Sequence, residues 1–168
     1  MRDRSVKVIA ALLMVCAAVV LDQGTKHAAR AQLAGKPPLI LVDRVLVLSY
    51  VENEGAFLSL GAGLPRPIRT LAFIAFPLVV LGCMVVFLLR KGGIGWGTLA
   101  GFSLIVGGGA GNLMDRLFRD GRVGDFIMIG IGSIRTGIFN CADLSVLAGC
   151  IILLASPARE KLRPTGRS

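Results

Sequence analysis

Four apolar runs, Val8–Leu21, Thr70–Leu89, Ile94–Met114 and Ile138–Ser156, constrain the fold more than anything else in this sequence. Thr70–Leu89 holds 20 residues without a charge, which as a helix crosses the ~30 Å of a bilayer's hydrocarbon. Backbone groups there have no water to bond, so such runs are expected as helices. Val8–Leu21 covers only ~21 Å at ~1.5 Å per residue. It is therefore expected to borrow residues from both flanks, leaving Asp22 at its far membrane edge. Only 17% of residues are charged, against roughly a quarter in soluble domains. The sequence reads as one integral membrane domain over residues 1–168, with spans at about 6–24, 68–89, 94–114 and 138–156.

The net charge of +9 raises nucleic acid as a partner. The basic residues, however, sit in short clusters beside apolar runs, with no basic helix face interleaved with aromatics. They suit anionic lipid or the fixing of topology, and no nucleic-acid partner is expected. Cys16, Cys83, Cys141 and Cys150 form no CxxC and each lies in an apolar run, so they read as small buried apolar residues. With His27 the one histidine, neither a metal nor a cofactor is expected.

Met1–Lys7 is basic and precedes an apolar run, as in a signal peptide. No small-residue cleavage site follows, so a retained first helix is expected. Leu39–Glu52 is rich in β-branched residues, is broken by Asp43-Arg44, and reads as a strand pair on the membrane surface. Asn53–Gly63 reads as a glycine-rich loop, and Pro77 as a kink in the second span. The glycines between Gly95 and Gly111 read as close-packing positions. Arg116–Gly137 reads as a polar return segment. The fold class expected is thus an all-α membrane protein of four transmembrane helices, with a small extracytoplasmic β-like cradle between helices 1 and 2.

Four spans put both termini on one side, with nine basic residues there and ten on the other. That count does not orient the chain, but the cluster abutting the first span favours cytoplasmic termini. Eight of the ten carboxylates then fall at or beyond the extracytoplasmic edge, and only Asp3 and Glu160 do not.

The chemistry is expected at a repeated spacing. Asn112-Leu113-Met114-Asp115 and Asn140-Cys141-Ala142-Asp143 are both N-x-x-D, and residues i and i+3 share a helix face. Two helices so marked would bring Asp115 and Asp143 together. Close carboxylates share a proton, so one activates water while the other polarises a carbonyl. Asn112 and Asn140 would hold the carboxylates, and Arg116 would anchor substrate or bias the pair. Asp22 and Asn53 lie nearby in this reading. Three alternatives remain at this point. Buried Asn and Asp also glue membrane helices together. Lys26 with Ser49 or Ser59 would make a Ser/Lys peptidase, although Lys26 reads as lying at a membrane edge rather than in a dry pocket. A small proton- or cation-coupled transporter or channel subunit would use the same carboxylates as a relay.

Asp22-Gln23-Gly24-Thr25-Lys26 resembles the D-Q-x-[ST]-K signature of lipoprotein signal peptidases (signal peptidase II). Asn53-Glu54-Gly55-Ala56-Phe57 resembles their N-x-G-A-F loop. Gly108–Arg116 followed by Val123-Gly124-Asp125-Phe126 resembles their G-N-x-x-D-R…V-x-D-F block, and Phe139–Asp143 their F-N-x-A-D block. The resemblance implies a bacterial inner-membrane aspartyl peptidase with four transmembrane helices and both termini cytoplasmic. Its expected substrates are prolipoproteins, cleaved before a diacylglyceryl-modified cysteine at the extracytoplasmic face. It also implies contact with membrane lipids, inhibition by globomycin-type peptides and a monomeric state. Carried onto matching positions, it makes Asp115 and Asp143 the catalytic dyad, Asn53, Asn112, Arg116 and Asn140 supporting polar residues, and Asp22 a site-edge residue. Asp120-Gly121 lengthens the Asp115–Asp125 spacing by one residue, and Thr136-Gly137 stand where the family has Trp-Pro.

Overall fold

The computed structural model describes residues 2–43, 45–55, 60–91, 94–131 and 134–161, with the side chains of 2, 131 and 157–161 not described. Arg44, Ala56-Phe57, Ser59, Gly92-Gly93 and the tail's Arg163 and Arg167 lie outside the described residues. The helices are α1 (Arg2–Leu33), α2 (Arg66–Thr70), α3 (Phe76–Arg90), α4 (Trp96–Phe118) and α5 (Cys141–Lys161). The strands are β1 (Leu39–Val42), β2 (Leu46–Asn53), β3 (Val123–Ile131) and β4 (Ile134–Arg135).

Among the described residues two helical stretches, Asp3–Leu33 and Arg66–Arg90, are long and apolar enough to cross a membrane, and Cys141–Ser156 is apolar but shorter. Val20, Leu21, Val79 and Leu154 are among many large apolar side chains facing outward, a surface that fits lipid rather than water. Cys16, Cys83 and Cys150 also lie on exposed helix surface, against the expectation of burial. At ~1.5 Å per residue α1 is ~48 Å long, so it outruns the hydrocarbon and carries Asp22 and Lys26 to the end where the sheet sits.

Arg66–Arg90 is one continuous helical run because a π-turn, Leu71–Ala75, joins α2 to α3. The Phe76 N–H donates to Leu71 O, five residues back. Pro77 follows and has no N–H for the ordinary bond to Phe73 O, so the helix widens just ahead of it.

α4 is the central helix and packs on α1, α3 and α5. Its glycines permit this. A Cβ on Gly107 would stand 2.7 Å from Ala18 Cβ on α1, and one on Gly101 2.6 Å from Leu153 Cγ on α5. A Cβ on Gly108 would collide with Ala142 O. Small residues therefore bring the backbones of three helices into contact, as small-residue seams do in membrane bundles.

The sheet is antiparallel in the order β1-β2-β3-β4. The strand pair over Leu39–Glu52 is present as β1 and β2. The expected return segment Arg116–Gly137, however, supplies β3 and β4, so the sheet draws on both connections and not only on that between the first two long helices. An all-α description is corrected accordingly. Val123, Asp125, Ile127, Ile129 and Ile131 alternate along β3, and β-branched residues favour extended backbone. Gly121, Gly124 and Gly130 obscured that alternation in the sequence.

α4 ends in a tight reversal. The Gly121 N–H donates to Arg116 O at 2.9 Å, and Asp120 and Gly121 take left-handed φ of 52° and 83°. This is a Schellman cap, with Asp120 where glycine is usual. The turn that lengthens the spacing aims β3 back across the end of α4.

Candidate active site

The site is assembled from five elements. α1 brings Asp22, Gln23 and Lys26; the end of β2 brings Asn53; α4 brings Asn112, Asp115 and Arg116; β3 brings Asp125; the start of α5 brings Asn140 and Asp143.

The two N-x-x-D motifs do different structural work. Asn112 and Asp115 lie inside α4. Asn140 precedes α5 and caps it: the Asp143 N–H donates to Asn140 Oδ1 at 3.0 Å, and the Asn140 N–H donates to Asp143 Oδ2 at 3.0 Å. That reciprocal pair is a capping box. The expectation that Asn140 and Asp143 share one helical face is thus corrected, since Asn140 lies outside the helix.

Asn140 is fully buried and joins the motifs. Its Nδ2 donates to Asp125 Oδ1 at 2.6 Å and to Asn112 Oδ1 at 3.2 Å. It is delivered there by the preceding residue. The Phe139 N–H donates to Ile127 O at 2.9 Å, and Phe139 O accepts from the N–H groups of Phe126 and Ile127.

Asp125 is 5% exposed. Its second oxygen accepts from Asn53 Nδ2 at 3.0 Å. Val51 pairs across from Asp125, so Asn53, two residues on, shares its sheet face. Burial pushes the Asp125 carboxyl up to about 6, further raised by the charge of Asp143, while the Asn53 and Asn140 donors pull it down.

A cleft of about 50 Å³ is lined by Asn53, Gly55, Asn112, Arg116, Asp125 and Asp143, room for a bound water. Asp143 Oδ1 accepts from Asn112 Nδ2 at 2.9 Å. Arg116 Nη2 donates to Gly55 O at 2.9 Å, tying the end of β2 to α4, and the guanidinium lies 5.7 Å from the Phe73 ring. Arg116 also lines an adjoining vestibule of about 330 Å³ with Arg66, Arg69, Phe73 and Arg122. Glu54 on its rim pairs with Arg69 and Arg122, and those partners hold its carboxyl below the usual range.

Asp115 does not line this cleft. It is 1% exposed, and its oxygens meet Lys26 Nζ at 3.0 Å, Gln23 Nε2 at 3.2 Å and the Gly124 N–H at 3.2 Å. Arg119 stands 3.7 Å away. Of the two expected carboxylates, Asp143 lines the cleft and Asp115 does not; the carboxylate sharing the cleft with Asp143 is Asp125. The reason is direction. Asp115 points toward α1 and the start of β3, where it fixes the Gly124 backbone and so the strand that carries Asp125.

Asp22 is likewise fully buried, accepting from the Ala142 N–H at 2.9 Å and from Lys26 at 2.8 Å. Lys26 is not at an open membrane edge as expected but wholly buried. Its ammonium is engaged by Asp22, Asp115 and Asn112, which leaves no support for a Ser/Lys pair. The sequence signal for Asp125 was an acid at the apolar parity of the β3 alternation.

A family model described as signal peptidase (SPase) II matches residues 14–158. A lipoprotein signal peptidase of Leifsonia xyli subsp. xyli is 34% identical over 154 residues, covering 88% of this chain but only 66% of that relative. One of Chlorobium phaeobacteroides is 34% identical over 154 residues, covering 85% of this chain and 93% of the relative. A bacterial membrane enzyme solved at 2.3 Å by the in meso method superposes with a TM-score of 0.77 at 24% identity, over 95% of this chain and 93% of that one. At that identity the likeness is one of fold.

Proposed function

The chain belongs to the signal peptidase II family, and from that premise and the cleft between Asp125 and Asp143 we propose that it is an aspartyl endopeptidase of lipoprotein processing. Its substrates are prolipoproteins carrying a diacylglyceryl-cysteine, and it cleaves the peptide bond just before that residue.

The observation that carries this reading is two carboxylates on one water-sized cleft, each oriented by amide donors from separate elements. Asp125, pushed up to about 6, is the partner that keeps a proton, and Asp143 acts as base. Asp143 takes a proton from water as its oxygen attacks the scissile carbonyl carbon, while Asp125 protonates the carbonyl oxygen. The tetrahedral intermediate then collapses. Asp125 recovers its proton, the C–N bond breaks, and the proton on Asp143 passes to the departing cysteine amine. Among the described residues Arg116 Nε has no hydrogen-bond partner, and it serves as a donor to the precursor backbone. The adjoining vestibule admits the chain.

In this reading α1, Arg66–Arg90, α4 and α5 each cross the bacterial inner membrane, and residues 1–168 form one domain. Both termini are cytoplasmic. The sheet is an extracytoplasmic cradle beside the cleft. The protein acts as a monomer in contact with membrane lipids. Asp22, Asp115, Asp125 and Asp143 gather at one end of the bundle, which does not favour a carboxylate relay across the membrane.

The test is cleavage of a diacylglyceryl-modified precursor by the purified protein in lipid nanodiscs, with and without a globomycin-type peptide. Release of the signal peptide, blocked by the inhibitor, is expected. No release from a folded preparation overturns the proposal.

A further inference from the structure

Lys26 is a cation with no exposed surface, and burying a charge costs several kcal/mol even when it is paired. It sits one turn beyond Asp22 on α1. Its Nζ lies 2.8 Å from Asp22 Oδ2, 3.0 Å from Asp115 Oδ2 and 2.8 Å from Asn112 Oδ1. An ammonium has three donors and no acceptor, and these contacts use all three. Lys26, Asp22 and Asp115 all lie behind the wall of the cleft rather than on it.

Asn112 is the part of that wall that Lys26 controls. An amide side chain fits its site in either of two orientations, and its hydrogen-bond partners decide between them. Two donors, Lys26 Nζ and Asn140 Nδ2, converge on one end of Asn112, and that end must be the oxygen. Its nitrogen therefore faces Asp143 Oδ1 at 2.9 Å. A group that can only donate makes the choice unambiguous.

We propose that Lys26 is a positioning residue for catalysis: it locks the Asn112 amide so that its N–H meets Asp143, and it supplies the buried positive charge against which the Asp125–Asp143 pair operates. The inference rests on the peptidase reading above and deepens it. The charges acting on the pair are Lys26 on α1, Arg116 on α4 and the two carboxylates themselves on β3 and α5, with Asp22, Asp115 and Arg119 further out, around Lys26 and Asp115. The field of Lys26 acts on Asp125 to lower its proton affinity, so losing Lys26 raises it.

The test is the pH profile of precursor cleavage by Lys26→Met. With the cation gone, proton release from the pair moves to higher pH. The acid limb of kcat/KM is expected to rise by about one pH unit, and kcat to fall about 10- to 100-fold while KM changes little. A merely structural loss would lower the amount of folded enzyme without moving the limb. Lys26→Met also takes the cation from buried Asp22 and leaves buried Asp115 with Arg119 at 3.7 Å. Where it does not fold, Lys26→Gln combined with Asp22→Asn keeps the net charge of the cluster and carries the test. A glutamine can turn either end toward Asn112, so the fall in kcat is expected to persist there. A wild-type kcat and pH profile in whichever variant folds overturns the proposal. The wild-type protein and Asp143→Asn run alongside separate this outcome from failure of the peptidase reading, which would show as no cleavage by the wild type.

Discussion

Replacing Asn140 with alanine removes two functions at once, and their sizes follow from the contacts. The side chain caps α5, and an N-cap lost to alanine costs about 1 kcal/mol. Its 2.6 Å bond to the Asp125 carboxylate is worth about 1.5–3 kcal/mol, and its bond to Asn112 about 1 kcal/mol. The three share partners, so they do not simply add. A loss of about 4 kcal/mol is expected, on the order of 10 °C in Tm for a chain of this length. Asn140→Ser separates the functions. A serine oxygen still accepts the Asp143 N–H, so about 1 kcal/mol returns, but it does not span to both Asp125 and Asn112. Stability should therefore recover in part while cleavage stays at least about 100-fold down. Both variants remove a donor from Asp125, which burial already holds up to about 6, so the acid limb of the pH profile should move upward. Thermal unfolding in nanodiscs and precursor cleavage across pH are the assays. An Asn140→Ala protein with wild-type Tm and kcat would refute the argument that this residue links the helix cap to the carboxylate pair.

The Asp125 carboxyl also makes stability depend on pH. Its folded value lies near 6, above the 3.8 of an unperturbed aspartate, so the folded state binds the extra proton. That contribution is fully present below about pH 4 and is lost as pH rises through about 6, by about 3 kcal/mol. Asp125→Asn should flatten this part of the Tm–pH curve, and an unchanged slope would contradict the burial argument. Gly111→Ala places a methyl 2.5 Å from Asp22 Oδ2 and should destabilise by about 1–3 kcal/mol. Gly82→Ala has open space on α3 and should be neutral or stabilising by up to about 1 kcal/mol. Equal Tm values for the two would show that α4 does not need its close approach to α1.

The helices were legible because long apolar runs leave the backbone no other solution, and β1 and β2 because Leu39–Glu52 is β-branched and interrupted. β3 was hidden by its glycines, although Val123, Asp125, Ile127, Ile129 and Ile131 keep strict alternation. The polar cluster was legible as a set: Asp22, Asn53, Asn112, Arg116, Asn140 and Asp143 do converge. Its internal pairing was not. Spacing treats Asn112–Asp115 and Asn140–Asp143 as equivalents, but one motif lies within a helix and the other begins one. Whether a carboxylate faces a cleft or a neighbouring helix depends on where β3 crosses α4, and that is set by the Asp120-Gly121 reversal. The burial of Lys26 was equally invisible, because it requires α1 to extend past the membrane edge and α4 to meet it.

The central claim, that Asp125 and Asp143 form the reacting pair, is tested most directly by the single-turnover rate of signal-peptide release by Asp125→Asn. Asp125→Asn should fold and bind the diacylglyceryl-modified precursor yet release its signal peptide at least about 1,000-fold more slowly than wild type. Release at the wild-type rate would contradict it and return the search for the second carboxylate to Asp115.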